Sequence, residues 1–396
     1  MTRLRRNVAL LLASVLAIAG AGTAYAVQRG PAGRAFYTPP RHLPGSRPGD
    51  LIRWRPLTTG ARLPSASRNL LVLYRSTALN GRAIAVSGTV AIPKGKPPKH
   101  GWPVISWAHG TAGFGDPCAP SLDGPGHHAT GDIPYTNTLL DQWVRAGYVV
   151  VRTDYEGLGT PGPHPFLVGH SEGRGVIDIV RAARQLDGKI GRKFIVAGHS
   201  QGGQGVLFAA ADARSRAPEL QLRGVVAFAP LSHASSLVRA AIGVSVPLPQ
   251  SAYGGLFVAG MDAVAPQKHL PRKLTSKARA LYPDLRRLCL DQIEASSSWG
   301  GLPPNQIFKS GGGATLLEHL LDRYSEPGVL RIRVPVRIEQ GDSDTTVPKS
   351  FTDKVVQQLR ARRAHVTYNV YSGATHHGVL AAGWQDATAF AAARLR

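Results

Sequence analysis

From residue 69 the chain alternates between two apolar rhythms. The stretch 69–95, NLLVLYRSTALNGRAIAVSGTVAIPKG, reads as two strands folded back on each other at Asn80-Gly81, a pair suited to the positive φ of a tight hairpin. Unbroken apolar runs follow at 103–110 (PVISWAHG), 148–155 (YVVVRTDY), 193–200 (KFIVAGHS) and 224–230 (GVVAFAP). Between them, 138–147, 175–186 and 204–213 carry apolar residues at helical spacing. Apolar runs of strand length alternating with helices predict an α/β fold, a mostly parallel central sheet with helices on both faces.

The alternation stops at residue 232. From there to 330 the pattern gives helical pieces (235–243, 277–295, 314–324) separated by VPLPQSAYGG, APQKHLP and SSSWGGLPPN. This predicts a helical cap inserted after the sixth strand. The sheet pattern resumes at 329–344 and 363–373, and 384–395 closes the chain as a helix. Residues 27–65 are rich in Pro and Arg without periodicity, which predicts an extended arm lying on the domain. The expected organisation is thus a leader over 1–26, the arm over 27–65, a core in two parts (66–231 and 331–396) and the cap over 232–330.

Composition adds a location. MTRLRRNVALLLASVLAIAGAGTAYA has a basic start, a short apolar run and Ala24-Tyr25-Ala26, the order of a cleavable export signal. Removing it takes away Arg3, Arg5 and Arg6, so the formal charge falls from +23 to +20. Such a surface predicts electrostatic association with anionic membranes or a cell envelope. The basic residues are scattered, without a reader module, so no specific nucleic-acid partner is expected. Two cysteines, Cys118 and Cys289, in an exported chain predict one disulfide, with two separately buried thiols as the alternative.

The candidate chemistry lies in a pentapeptide that occurs twice, GHSEG at 169–173 and GHSQG at 198–202. A nucleophile elbow needs a strand running into the serine, small residues around it and a helix directly after. Ser200 has all three: KFIVA precedes it, Gly198, Gly202 and Gly203 surround it, and GQGVLFAAADA follows. Ser171 has only FLV between Pro165 and its motif, too short for a central strand. Its glycines are expected to serve the loop and start of the helix at 175–186. Downstream, Asp342 and Asp344 stand after one strand, His376 and His377 after the last, in the order serine, acid, histidine. Only one of each pair can hold the role. Two backbone donors are needed for an oxyanion, and the N–H of Gln201, directly after the serine, and that of Thr111, in the HGT turn after an earlier strand, are the candidates.

Other patterns carry less. Gly157-Leu158-Gly159-Thr160-Pro161-Gly162 satisfies a dinucleotide spacing, but Pro161 and the following GPHP forbid the helix that should hold a pyrophosphate. His127, His128, Asp116, Asp123 and His164 lack the spacing of a metal ligand set. Asp154 and Asp178 precede Ser200 and are read as structural. No cofactor or metal is expected.

With these residues in view, the chain resembles the α/β-hydrolase fold, and more closely the secretory lipase family of bacteria and yeasts. The resemblance rests on YRSTALNGRAIAVSGTVAIP, WAHGTAGFGDPCAPS, TDYEGLGTPG with FLVGHSEGRGVIDIVRAAR, GHSQGG, GDSDTTVP and YSGATHHG. It implies Asp344 as the acid, in a G-x-x-D-x-x-V-P turn, and His376, three residues after Gly373, with His377 as the alternative. It also implies a bridge from Cys118 to Cys289 that ties the HGT loop to the cap. The implied activity is a secreted serine carboxylic-ester hydrolase, lipase-like, acting on lipid or other ester substrates. The rivals are a peptidase or an esterase for polar or aromatic esters on the same fold, and a non-catalytic basic binding protein.

Overall fold

The computed structural model describes residues 27–124, 127 and 133–395. The leader expected at 1–26 and His128 lie outside them. Ten strands form one sheet: β1 (Gln28–Arg29), β2 (Leu51–Pro56), β3 (Ala66–Thr77), β4 (Ala83–Pro93), β5 (Trp102–Ala108), β6 (Val149–Thr153), β7 (Ile190–His199), β8 (Gln221–Phe228), β9 (Val336–Gly341) and β10 (Val366–Tyr371). Their order is β1-β2-β3-β4-β6-β5-β7-β8-β9-β10. The hairpin β3–β4 and its neighbours β2 and β6 pair antiparallel, and every pairing from β6 to β10 is parallel.

The unbroken apolar runs are explained by a sheet covered twice. Val104 on β5, Phe194 and Val196 on β7, and Val225 and Ala227 on β8 face one core. Ile105, Trp107, Ile195, Ala197, Val226 and Phe228, alternating with them, face the other. The first core is closed by α2 (Gly169–Leu186), α3 (Gln201–Arg216) and α10 (Lys349–Ala361). The second is closed by α1 (Ile133–Arg145), α11 (Gly378–Ala382) and α12 (Trp384–Leu395).

Between β8 and β9 the chain leaves the sheet for α4 (Ala234–Ala241), α5 (Ser251–Val264), α6 (Ser276–Leu281), α7 (Asp284–Arg287), α8 (Leu290–Ile293) and α9 (Gly313–Tyr324). This segment has its own apolar cluster, including Leu256, Met261, Trp299 and Leu317. The cluster is shared with Phe114 and with Phe166, Leu167 and Val168 from the loops after β5 and β6.

Two expectations need correction. The arm is not only a covering segment, because it adds β1 and β2 to the sheet and buries Phe36, Tyr37 and Ile52. The inserted helices therefore follow the eighth strand, not the sixth. β2 escapes the pattern because LIRWRP has two buried positions at one end and partly exposed ones at the other, with no strict alternation. The last strand pair is also shorter than its apolar runs, and Pro335, which has no N–H for a ladder, stands immediately before β9.

A disulfide joins Cys118 to Cys289, closing 171 residues of sequence. The backbone follows it: Gly113 bridges Cys289, and the Leu290 N–H donates to the Ala112 carbonyl at 3.0 Å. Chain-entropy arguments give such a closure a contribution of about 5 kcal/mol. The double variant Cys118→Ser, Cys289→Ser is expected to melt roughly 5–10 °C below the oxidised protein in calorimetry. An unchanged Tm would show that the bridge adds nothing to the hold of the neighbouring backbone bonds.

Candidate active site

Parallel register aligns the strand ends that carry the candidate residues. Ala108 pairs with Gly198, His199 with Phe228, Phe228 with Glu339, and Gly341 with Tyr371. The loops after β5, β7, β9 and β10 thus leave from one edge of the sheet, bringing Thr111, Ser200, Asp344 and His376 together.

Ser200 sits between the last residue of β7 and the first of α3, with φ 57° and ψ −117°. A non-glycine residue keeps such a backbone only where its surroundings enforce it. Here they do so by close approach. A Cβ on Gly202 would stand 2.0 Å from the Ala108 carbonyl oxygen, and one on Gly203 2.9 Å from that of Phe228. Only glycine at these positions lets α3 start so close to the ends of β5 and β8. The sharp turn leaves Ser200 on the wall of a cavity, and the Gln201 N–H, in the first helical position, without an intrahelical acceptor.

Asp344 is fixed by four donors. Its Oδ1 accepts the N–H groups of Thr346 and Val347, both at 2.8 Å, and its Oδ2 accepts Gln340 Nε2 at 3.2 Å and His376 Nδ1 at 2.7 Å. Burial alone would raise its pKa, but the hydrogen bond and charge of His376 and the two backbone donors outweigh it and hold the carboxyl below its usual range. A carboxylate oxygen can only accept, so His376 carries its proton on Nδ1. His199 donates from Nε2 to the His376 carbonyl at 2.8 Å, which braces the loop. His377 instead stacks on Tyr135, with ring centroids 4.1 Å apart. Asp342 accepts the Gly373 N–H at 2.7 Å and so ties the two loops together. The structure thus joins His376 to Asp344 and gives His377 and Asp342 other contacts.

The pentapeptide at 169–173 is helical throughout. α2 begins at Gly169, earlier than its apolar pattern, and Ser171 donates to Glu156 Oε2 at 2.5 Å. A Cβ on Gly173 would stand 2.7 Å from the Ala209 nitrogen, so the motif's small residues serve the packing of α2 on α3.

Glu172 of that motif belongs to the site in a way the sequence did not reveal. Its Oε1 accepts the Leu167 N–H at 2.9 Å and Gln201 Nε2 at 2.8 Å. The other Gln201 amide hydrogen goes to His164 Nε2 at 3.1 Å, while His164 Nδ1 donates to the Glu156 carbonyl at 2.8 Å. Burial pushes Glu172 up to about 8 and His164 down to about 3, so both are neutral at pH 7. No sequence spacing marks this contact, because Glu172 and His164 look like ordinary polar residues until α2 is laid on α3.

A raised carboxyl pKa costs stability as pH climbs from the unfolded value, 4.5, to the folded one, about 8, because the unfolded chain releases its proton first. The Glu172→Gln variant is expected to lose less Tm between pH 5 and 8 than the parent. Glu172→Ala, which strands the Leu167 and Gln201 donors, should lose about 2–3 kcal/mol in denaturant titration. Equal pH slopes for parent and Glu172→Gln would contradict the neutral carboxyl.

The remaining polar candidates are structural. Asp154 accepts from Ser87 and Ser121, and Asp178 from Ser76 and Arg216. Gly157–Gly162 form a loop, and among the described residues no group of three or more His, Cys, Asp or Glu could hold a metal ion.

A serine on a strained elbow, an imidazole bordering the same cavity and a buried carboxylate behind it are the residue types that nucleophilic acyl transfer uses. Lipase A of Moesziomyces aphidis is 27% identical over 235 residues, covering 56% of this chain and 49% of that protein. The secreted triacylglycerol lipase of Malassezia furfur is 24% identical over 351 residues, covering 85% and 65%. The chain thus spans about half to two thirds of the length of these two relatives. A Mycobacterium tuberculosis protein named a probable inactive lipase is 24% identical over 363 residues, covering 86% and 76%.

Among solved structures, Candida antarctica lipase A superposes with a TM-score of 0.73 at 21% identity, over 89% of this chain and 84% of that one. The rice cell wall degrading esterase of Xanthomonas oryzae gives 0.69 at 19% identity, over 88% and 98%. Both carry the α/β-hydrolase-like fold. The secretory lipase description matches residues 125–396, more than half of the sequence. The chain belongs to the secretory lipase family.

Proposed function

We propose that this member is an exported serine esterase that hydrolyses fatty-acyl esters through Ser200, His376 and Asp344. The observation that carries the fatty-acyl reading is a cavity of about 190 Å³ that opens at Ser200 and Thr111. Its walls are aliphatic and aromatic side chains from the inserted helices and from the loop before α2, among them Phe166, Val238, Leu248, Phe257, Ile307 and Leu317. A chain of methylenes is the ligand such walls favour, at about 0.8 kcal/mol for each one removed from water.

In this reading Ser200 Oγ attacks the ester carbonyl carbon while His376 Nε2 takes its proton. The Gln201 and Thr111 N–H groups stabilise the negative oxygen. His376 then protonates the departing alkoxide, leaving Ser200 acylated, and a water molecule activated by His376 releases the acid. Asp344 keeps the imidazole in the required tautomer and stabilises its charged form. The side-chain amide nitrogen of Gln201 is held by Glu172 and His164, which fixes the peptide that precedes Gly202.

The test is hydrolysis of p-nitrophenyl esters from acetate to palmitate by the chain without its first 26 residues. Each buried methylene is worth about fourfold in kcat/KM, so octanoate should exceed acetate by at least about a hundredfold. A maximum at acetate would overturn the fatty-acyl assignment and leave a short-chain esterase. No turnover of any ester by folded protein would overturn the hydrolase itself.

A further inference from the structure

Two cavities meet at Ser200, and they differ in chemistry. The aliphatic one is described above. The second, about 420 Å³, is bordered by Tyr135, Asp291, Glu294 and His377, together with Ser200 and His376. Thr111, Gln250, Tyr253 and Thr346 belong to both. His376 borders the second and not the first.

That division assigns the two halves of an ester. The imidazole that takes the Ser200 proton must next deliver it to the oxygen of the departing alcohol, so the alcohol half has to lie on the His376 side. The acyl half is left with the aliphatic cavity. Resting on the proposed roles of Ser200 and His376, we infer that the polar cavity is an alcohol subsite and that the alcohol it takes is a polyol, with free hydroxyls beside the ester oxygen.

The residues that single out a polyol are Asp291 in α8 and Glu294 at its C-terminal cap. Carboxylates only accept hydrogen bonds, and a polyol brings several donors at short spacing. Burial, and then the charge of Asp291, push the Glu294 carboxyl up, the condition in which a hydroxyl donor is most useful to the pair. Burial and the charges of Glu294 and Asp344 also push the Tyr253 phenol up, which keeps it protonated as a donor at the junction of the cavities. The acids are held in place covalently. α8 follows Cys289 directly, and Cys289 is bonded to Cys118 of the loop that carries Thr111. A fixed cation suits the subsite less well than hydroxyls, because His376 becomes cationic in each acyl transfer at its wall. A diacylated glycerol would have to place two hydrocarbon chains against the carboxylates.

The experiment holds the acyl group constant at eight carbons and varies the alcohol: 1-monooctanoylglycerol, methyl octanoate, trioctanoylglycerol and octanoylcholine, each below its aggregation limit, with p-nitrophenyl octanoate as the activity control. The inference predicts that kcat/KM for monooctanoylglycerol exceeds that for methyl octanoate at least tenfold. It also predicts that Glu294→Leu lowers this ratio at least tenfold and Glu294→Gln by less. A ratio near one in the parent, an unchanged ratio in Glu294→Leu, or a preference for trioctanoylglycerol overturns the polyol subsite. A preference for octanoylcholine overturns it in favour of a cation subsite. Turnover of p-nitrophenyl octanoate with a ratio near one sinks this inference alone, whereas no turnover of any ester sinks the ester-hydrolase reading beneath it as well.

Discussion

Replacing Ser200 by alanine is expected to lower kcat for p-nitrophenyl octanoate by at least about 10³-fold, and by as much as about 10⁶-fold, with the fold intact. Replacing Ser171 by alanine should keep kcat within about threefold of the parent, since losing the contact of this buried hydroxyl with Glu156 is worth about 1 kcal/mol of stability and no reacting atom. The two serines occupy the same pentapeptide pattern, so the contrast comes from backbone and partners. Ser200 has φ 57°, lies between strand and helix, and lines both cavities. Ser171 lies inside the first turn of α2, where its hydroxyl is a donor to Glu156. A nucleophile needs its hydroxyl beside a base, and a carboxylate already satisfied by that hydroxyl in a helix–loop contact offers no substrate an approach. If Ser171→Ala lost activity while Ser200→Ala kept it, the elbow would have been assigned to the wrong strand.

Exchanging Asp344 for asparagine should cost about 10⁴ in kcat with little change in KM. The carboxylate accepts the His376 Nδ1–H at 2.7 Å, and its other oxygen already takes two backbone donors. An amide nitrogen facing Nδ1 would favour the opposite tautomer, placing the proton on Nε2, where the base must be empty. Asp342→Asn should cost far less, because Asp342 accepts the Gly373 N–H and has no contact with His376 among its hydrogen bonds. Kinetics of the two variants with circular dichroism as the folding control checks both. Equal losses would mean that holding the loops together, and not orienting the imidazole, is what the acidic turn supplies.

The parts of this arrangement that were legible in the sequence are those set by local rules. An apolar run ending in Gly-His-Ser and continuing in small residues can be read as strand, elbow and helix, because each step constrains the next. The helices on both sheet faces follow from runs such as KFIVA, in which adjacent residues Phe194 and Ile195 must both find apolar cover. The choice of His376 over His377 could not be read from residues alone, since adjacent histidines differ only in which way a loop turns. In the structure one ring meets Asp344 and the other stacks on Tyr135.

Contacts distant in sequence stayed hidden. β2 joins β3 although its own pattern is poor, because the partner strand supplies the ladder. Glu172, His164 and Gln201 come from three separate segments, and nothing at 164 or 172 alone signals a partner at 201. Asp291 and Glu294 read as ordinary charges on a helix until the disulfide places them at the same cavity as Ser200.

The most direct measurement is active-site titration. Folded protein lacking residues 1–26 is treated with an alkyl fluorophosphonate, digested, and mapped by mass spectrometry. The account predicts one adduct per chain, on Ser200, formed with the same stoichiometry as the loss of esterase activity and absent from Ser200→Ala. An adduct on Ser171, or full esterase activity in protein that carries none on Ser200, would contradict it.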